Sequence, residues 1–202
     1  RILPKWAFEP PPWLANESSL RPSLALLEET AVREVRLGPE TRAHGIRIWG
    51  ANMAFSRRAF ERAGRFNVRM GPSGTKLYRG EEPELVRRMI QAGLKIVYDP
   101  RPFAPHRIEP ERMRKAYFRR HSFHRGEGAA LVDGLPQGRH LLGVPFYLLP
   151  HVAGHATQWL RAWIRRDSEA FRQQLELLES LGYISGFVRQ SMSSGQYASL
   201  FK

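Results

Sequence analysis

The chain has 202 residues, 25% of them charged and 42% hydrophobic, proportions that exclude wholesale disorder and leave enough apolar surface for a core without a metal or disulfide staple. It contains no cysteine, which excludes a disulfide scaffold, a thiolate zinc site and a cysteine nucleophile. Lys and Arg number 32 against 19 Asp and Glu, a formal net charge of +13 that points to an anionic partner: nucleic acid, an acidic membrane surface or a phosphorylated substrate.

The first residue is Arg1 rather than Met, so the chain is read as a processed product or a piece of something longer. Pro4, Pro10, Pro11 and Pro12 stand among Trp6, Phe8 and Trp13 in residues 1–22. Three successive prolines disfavour a helix, and the segment is expected to be extended, with Trp6 and Trp13 packing it onto a neighbouring surface. Leu24, Leu26 and Leu27 suggest a short helix or turn. Ile46 to Trp49 alternates as a strand does, and the small residues from Gly50 to Phe55 are expected to continue it. Ser56 stands where an N-cap belongs, ahead of a short helix over 57–63 that Gly64 ends in left-handed geometry. Gly71, Pro72, Gly74 and Gly80 punctuate a loop over 65–80.

A helix is predicted over 81–92, with acidic residues and Pro83 in its first turn, Leu85, Val86, Met89 and Ile90 on one face, and Gly93 as its stop. Leu94 to Tyr98 reads as a strand that Asp99-Pro100-Arg101-Pro102 breaks. A second, strongly basic helix is predicted over 109–125, ended by Gly126 and followed by a glycine-rich loop over 127–144. Phe146 to Arg166 reads as an aromatic helix bent at Pro150. Asp167 caps a last helix with Phe171, Leu175, Leu178 and Leu181 on its face; Gly182 is expected to close it and the tail from Ser185 to be loose. No run of about 20 apolar residues exists to span a bilayer. The nearest candidate, Leu141 to Ile164, is interrupted by Pro145, Pro150, two His and Arg161, and reads as a membrane-surface or core segment.

Three places could carry chemistry. In Gly80-Glu81-Glu82-Pro83-Glu84-Leu85, three carboxylates crowd a helix N-terminus. Their mutual repulsion raises a carboxylate pKa and the helix end lowers it, a setting that suits a general base as well as plain charge complementarity. His106 follows a proline break at a strand end, where an imidazole can ligate a metal or hold a phosphate or simply pack. His121, His124, His151 and His155 show no partner acid at ligand spacing. The basic, aromatic helix over 109–126 has the charge that nucleic acid or anionic lipid requires, without a zinc-finger, helix-turn-helix, single-stranded-RNA or phosphate-loop signature beside it. Together with the apolar segment 146–164, and with Phe118, Phe146, Tyr147, Trp159 and Trp163, it is expected to form a membrane-facing surface.

The order of the pieces resembles the family-2 glycosyltransferases. Gly50-Ala51-Asn52-Met53-Ala54-Phe55-Ser56-Arg57-Arg58-Ala59-Phe60 is similar to that family's GANMAFRR segment, Gly64-Arg65-Phe66 to the GxF that follows, Gly80 to Leu85 to its GEDxEL motif, and Gly93 to His106 to its G..I.Y.P.A.V.H pattern. The resemblance covers residues 46–126. It implies an α/β fold, a partial GT-A (Rossmann-like) sheet with C-terminal helices, divided into an acceptor-side half over 1–126 and a helical extension over 127–202. The activity implied is inverting transfer of a sugar from a nucleotide-diphosphate sugar to an acceptor hydroxyl of a glycan or lipid-linked sugar. The implied general base is Glu82, where the family usually has Asp. Gly50, Asn52, Glu81 and Glu84 fall on substrate-side positions, and His106 on a position that helps hold metal or diphosphate. The family's divalent metal, Mg or Mn, is held mostly by an Asp-x-Asp motif that this sequence lacks, and the donor-binding half is expected to be missing. A cytoplasmic location is expected, peripheral on the inner face of the membrane, with nucleic acid not among the partners of the enzyme. The rival reading is a non-catalytic basic module that binds an anionic membrane surface or nucleic acid.

Overall fold

The computed structural model describes residues 1–35, 48–68, 72–73, 76–77, 81–134, 138–141 and 143–193. The fold is mixed α/β with small parallel and antiparallel sheets. Two compact units are distinguished: one from Arg1–Arg69 with Glu81–Phe118, the other from a short hairpin and the chain from Arg119 onward.

In the first unit, β1 (Ile2–Trp6) pairs in parallel with β6 (Ala104–Ile108), and β2 (Arg33–Val35) pairs antiparallel with β5 (Ile96–Tyr98). The proline-rich start is therefore a strand followed by a one-turn helix, α1 (Pro12–Ala15). Pro4 is tolerated because this sheet has only two strands among the described residues, and Pro12 opens α1 where its missing N–H is not needed. Trp13 meets the edge of the fully buried Phe118, ring centroids 5.5 Å apart, and Lys115 lies over the Trp13 ring. Phe118 is thus core and not the lipid-facing residue expected of it.

Helix α2 (Arg57–Ala63) starts and stops as its sequence requires. Ser56 Oγ accepts from the Ala59 amide at 3.2 Å, and Gly64 at φ 78° takes the Phe60 carbonyl. Helix α3 (Glu81–Gln91) buries Leu85, Val86 and Met89 completely, roughly 2 kcal/mol each. Gly93 at φ 74° closes it, with the Leu94 amide donating to the Met89 carbonyl at 2.9 Å. Residues 46–47 and most of the loop over 65–80 lie outside the described residues, apart from the two-residue strands β3 (Pro72–Ser73) and β4 (Lys76–Leu77).

The chain from Pro110 onward departs further from expectation. A 3-10 turn over Pro110–Met113 precedes α4, and α4 runs over Lys115–Asp133, through Gly126 and Gly128. The unit boundary falls inside α4, after Phe118. After the short strands β7 (His140–Leu141) and β8 (Val144–Pro145) come α5 (Leu148–Ile164) and α6 (Ala170–Ser193), and α6 runs through Gly182 and past Ser185. Pro150 sits in the first turn of α5, where no intrahelical donor is required, so the helix need not bend around it.

Gly126 and Gly182 read as stops and act as contacts. A side chain at Gly182 would enter the Phe123 carbonyl, one at Gly126 the Glu179 backbone, and a Cβ at Gly186 would lie 2.6 Å from Ala130 Cβ. Gly182 and Gly186, four apart on one face of α6, let α4 approach backbone to backbone. Ala129, Ala130, Leu148, Tyr183 and Phe187 fill the core around this crossing. Glu127 is wholly buried within it. Its carboxylate accepts from Ser185 Oγ at 3.0 Å and lies 2.8 Å from His124 Nδ1 and 3.3 Å from Arg189. His124 therefore does have an acidic partner, three residues on along one helix face, which a search for metal-ligand spacing passes over. No described helix is long and apolar enough to cross a membrane.

Gly182→Ala and Gly186→Ala are expected to destabilise the chain by more than about 2 kcal/mol each in chemical denaturation, as overpacking against backbone does. Gly154→Ala, on α5 with nothing within 4 Å of the added carbon, is expected to stabilise it by up to about 1 kcal/mol.

Candidate functional site

The turn Gly50–Asn52 brings the two acid-bearing and glycine-bearing motifs together. It is a 3-10 turn and not the strand continuation expected from the sequence, because small residues here serve close approach and not a pleat. Glu82, in the first turn of α3, accepts the Gly50 amide proton on Oε1 at 3.1 Å. A Cβ at position 50 would lie 2.8 Å from that same oxygen, so a larger residue there would displace the carboxylate from its seat on the backbone. Asn52 donates from Nδ2 to the carbonyls of Arg1 at 3.0 Å and Pro102 at 3.3 Å. The turn is thereby fixed at one side to α3 and at the other to the ends of β1 and β6.

Glu82 is half-buried with Leu85, Val86 and Met89 anchored behind it, so its backbone is rigid while its carboxylate faces the turn. Glu81, also half-buried, shares the first turn of α3. Glu84 has a different part. Both its oxygens receive Arg88, Nε at 2.6 Å and Nη2 at 2.9 Å, and the Arg88 guanidinium also donates to the carbonyls of Ala63 and Arg65. Glu84 holds Arg88 still more firmly protonated than usual and clamps the end of α2 to α3. Its position among the substrate-side residues is thus taken by a structural role.

His106 lies at the centre of β6, opposite Pro4. Its Nε2 is 2.9 Å from Arg112 Nη1; Arg112 Nε also donates to the Tyr117 hydroxyl at 3.2 Å, which donates to the Ser23 carbonyl at 3.1 Å. Arg has no acceptor, so Nε2 must accept and the imidazole is neutral there. Burial, and then the Arg112 charge, hold its pKa below the ordinary imidazole value. With Nε2 engaged by a guanidinium, His106 is poorly disposed to bind a cation through that nitrogen. Among the described residues no three His, Asp or Glu side chains converge as a metal site would require. The residues present do not by themselves fit the divalent metal that the resemblance implies. A guanidinium beside a neutral imidazole fits an anion instead. Sequence spacing placed Arg112 on a uniformly basic helix; the 3-10 turn that directs it back at β6 is set by Pro110, a signal legible only once β6 is known.

A cavity of 330 Å³ opens in this unit, lined by Ile2, Val35, Trp49, Asn52, Val86 and Tyr98 among others. It is mainly apolar, with Asn52, Lys95 and Asp99 among its polar lining, the character of a small-ligand pocket. The chain matches no protein-family model, no curated protein and no solved structure.

Because the folded pKa of His106 is depressed, the unfolded chain binds its proton first as pH falls. Stability is expected to drop as pH is lowered through the ordinary imidazole value of about 6.5 and to level off below the folded pKa, with a slope of at most about 1.4 kcal/mol per pH unit. Denaturation midpoints of His106→Asn between pH 5 and 8, a range of roughly the imidazole transition, are expected to lose that slope.

Proposed function

We propose that this chain carries the acceptor-side site of an inverting glycosyltransferase, with Glu82 as the general base. The observation that supports this reading is the Glu82–Gly50 hydrogen bond, which joins the two segments resembling the transferase motifs at the mouth of one helix. Glu82 Oε1 accepts from the Gly50 backbone amide, and a carboxylate aimed in this way is suited to accept a proton from a hydroxyl. In the reaction the acceptor oxygen bonds to the anomeric carbon of the donor sugar as its proton passes to Glu82. The bond from that carbon to the diphosphate oxygen breaks, and its electron pair leaves on the nucleotide diphosphate. The configuration at the anomeric carbon inverts.

The remaining residues take parts consistent with that step. Arg112 beside neutral His106 supplies donors for the anionic diphosphate leaving group, worth more to the transition state as charge builds there. Trp49 and Asn52 line the 330 Å³ cavity where an acceptor sugar would stack and hydrogen-bond. Gly50 fixes the carboxylate, and Glu84 with Arg88 keeps α2 and α3 in place around it.

In the protein that carries this chain, Glu82→Gln is expected to lower kcat for sugar transfer by roughly 100- to 10,000-fold with donor KM little changed, because the amide cannot take the proton. Arg112→Ala is expected to lower kcat/KM for the nucleotide sugar by at least about tenfold. Glu84→Gln is expected to lower the denaturation midpoint more than it lowers kcat. Wild-type turnover in Glu82→Gln would contradict the reading.

A further inference from the structure

The helix α5 has more apolar surface than the fold covers. At about 100° per residue, Leu148, Val152, His155, Trp159 and Ala162 share one face. That face packs on α6: Leu148 and Ala162 are buried, and His155 Nδ1 lies 2.7 Å from Ser180 Oγ. The adjoining arc carries Leu149, Ala153, Leu160, Trp163 and Ile164, all exposed, with Trp163 at 63% and Ile164 at 66% of their full accessibility. Together the two arcs span about 200° of the helix, twice what contact with one neighbour requires. Leu141, Phe146 and Tyr147, also exposed, extend the uncovered patch beyond the start of α5.

The remaining arc is polar and basic. Thr157, Gln158, Arg161 and Arg165 occupy it, Arg166 follows, and all five are exposed. No acidic residue occurs between Leu148 and Arg166. The arginines of the neighbouring helices are differently placed: Arg125 pairs with Glu179, and Arg119 donates to Gln174. So helix α4, expected to share the membrane-facing role, commits these two arginines to α6, whereas the arginines of α5 stand exposed beside an apolar stripe.

We propose that α5 lies in the surface of an anionic lipid bilayer. Leu149, Leu160, Trp163 and Ile164 enter the headgroup–acyl boundary, and Arg161, Arg165 and Arg166 meet the lipid phosphates. A helix with an apolar arc of this width, a Trp at its edge and cationic residues beside it is built for that plane. A second copy seated on the same stripe would set arginine against arginine with no acid on α5 to answer them. Nucleic acid would answer the arginines and leave the apolar stripe in water. Lipid answers both. This inference stands on α5 alone and is independent of the transferase reading.

The test uses the 202-residue chain with vesicles of phosphatidylcholine alone or mixed with phosphatidylglycerol, followed by co-sedimentation over a salt series. Binding is expected to the mixed vesicles and to weaken as salt rises. Arg161→Ala is expected to weaken it about fivefold, and replacement of Arg161, Arg165 and Arg166 together about a hundredfold. Leu160→Asp and Trp163→Asp, at exposed positions, are expected to keep the helix content seen by circular dichroism and to lose at least about tenfold in binding. Thr157→Asp, on the polar arc, is expected to lose only about fivefold, the effect of one charge. Equal binding to neutral and anionic vesicles would overturn the proposal, as would unchanged binding in Leu160→Asp and Trp163→Asp. So would self-association that Leu160→Asp abolishes in a chain that binds no vesicle, or binding to duplex DNA without binding to lipid.

Discussion

One hydrogen bond, from the Gly50 amide to Glu82 Oε1 at 3.1 Å, ties the candidate chemistry to the fold. It forms because three apolar side chains of α3 are fully buried and hold the helix N-terminus still, and because position 50 carries no Cβ to push the carboxylate away. From Gly50 the constraint passes through the 3-10 turn to Asn52, and from Asn52 to the carbonyls of Arg1 and Pro102 at the ends of the paired strands. β6 carries His106 four residues beyond Pro102, and Arg112 turns back onto it. Glu82 and the His106–Arg112 pair are thus linked through one continuous set of hydrogen bonds and strand pairing.

The second unit is governed by a different constraint, backbone proximity. Gly126 on α4 and Gly182 and Gly186 on α6 remove the side chains that would hold the helices apart. The buried Glu127 carboxylate, answered by Ser185, His124 and Arg189, gives the crossing a fixed register, since any slip would leave a buried charge unanswered. With one face of α6 committed to α4, α5 takes another, and half of its own apolar surface remains outside.

Local signals were legible wherever the local chain decides the structure. Ser56 and Gly64 bound α2, Gly64 with a positive φ of 78° but an extended ψ of -177° in place of the left-handed turn expected, and the acidic first turn, the apolar face and Gly93 define α3; each acts within one or two turns. The readings that changed concern residues whose partner is remote in sequence. Gly126 and Gly182 look like helix stops because glycine has two uses, and only the facing helix distinguishes close approach from a cap. Pro4 sits in a strand because β6, about a hundred residues away, is short of other partners among the described residues. Of the residues singled out, Gly50 and Glu82 share a hydrogen bond, and Asn52 lies in the same turn as Gly50. Glu84 is claimed by Arg88 four residues on in the same helix, a spacing the sequence does carry, and His106 by Arg112, a hydrogen bond between elements that no fixed spacing signals.

The most direct test of this account is the backbone amide resonance of Gly50 followed by NMR through an acid titration. The carboxylate of Glu82 is the acceptor of that amide proton, so the Gly50 signal is expected to move as Glu82 protonates, and the movement is expected to vanish in Glu82→Gln while α3 stays folded. A Gly50 amide that is unaffected by pH, or that titrates identically in Glu82→Gln, would contradict the account at its centre.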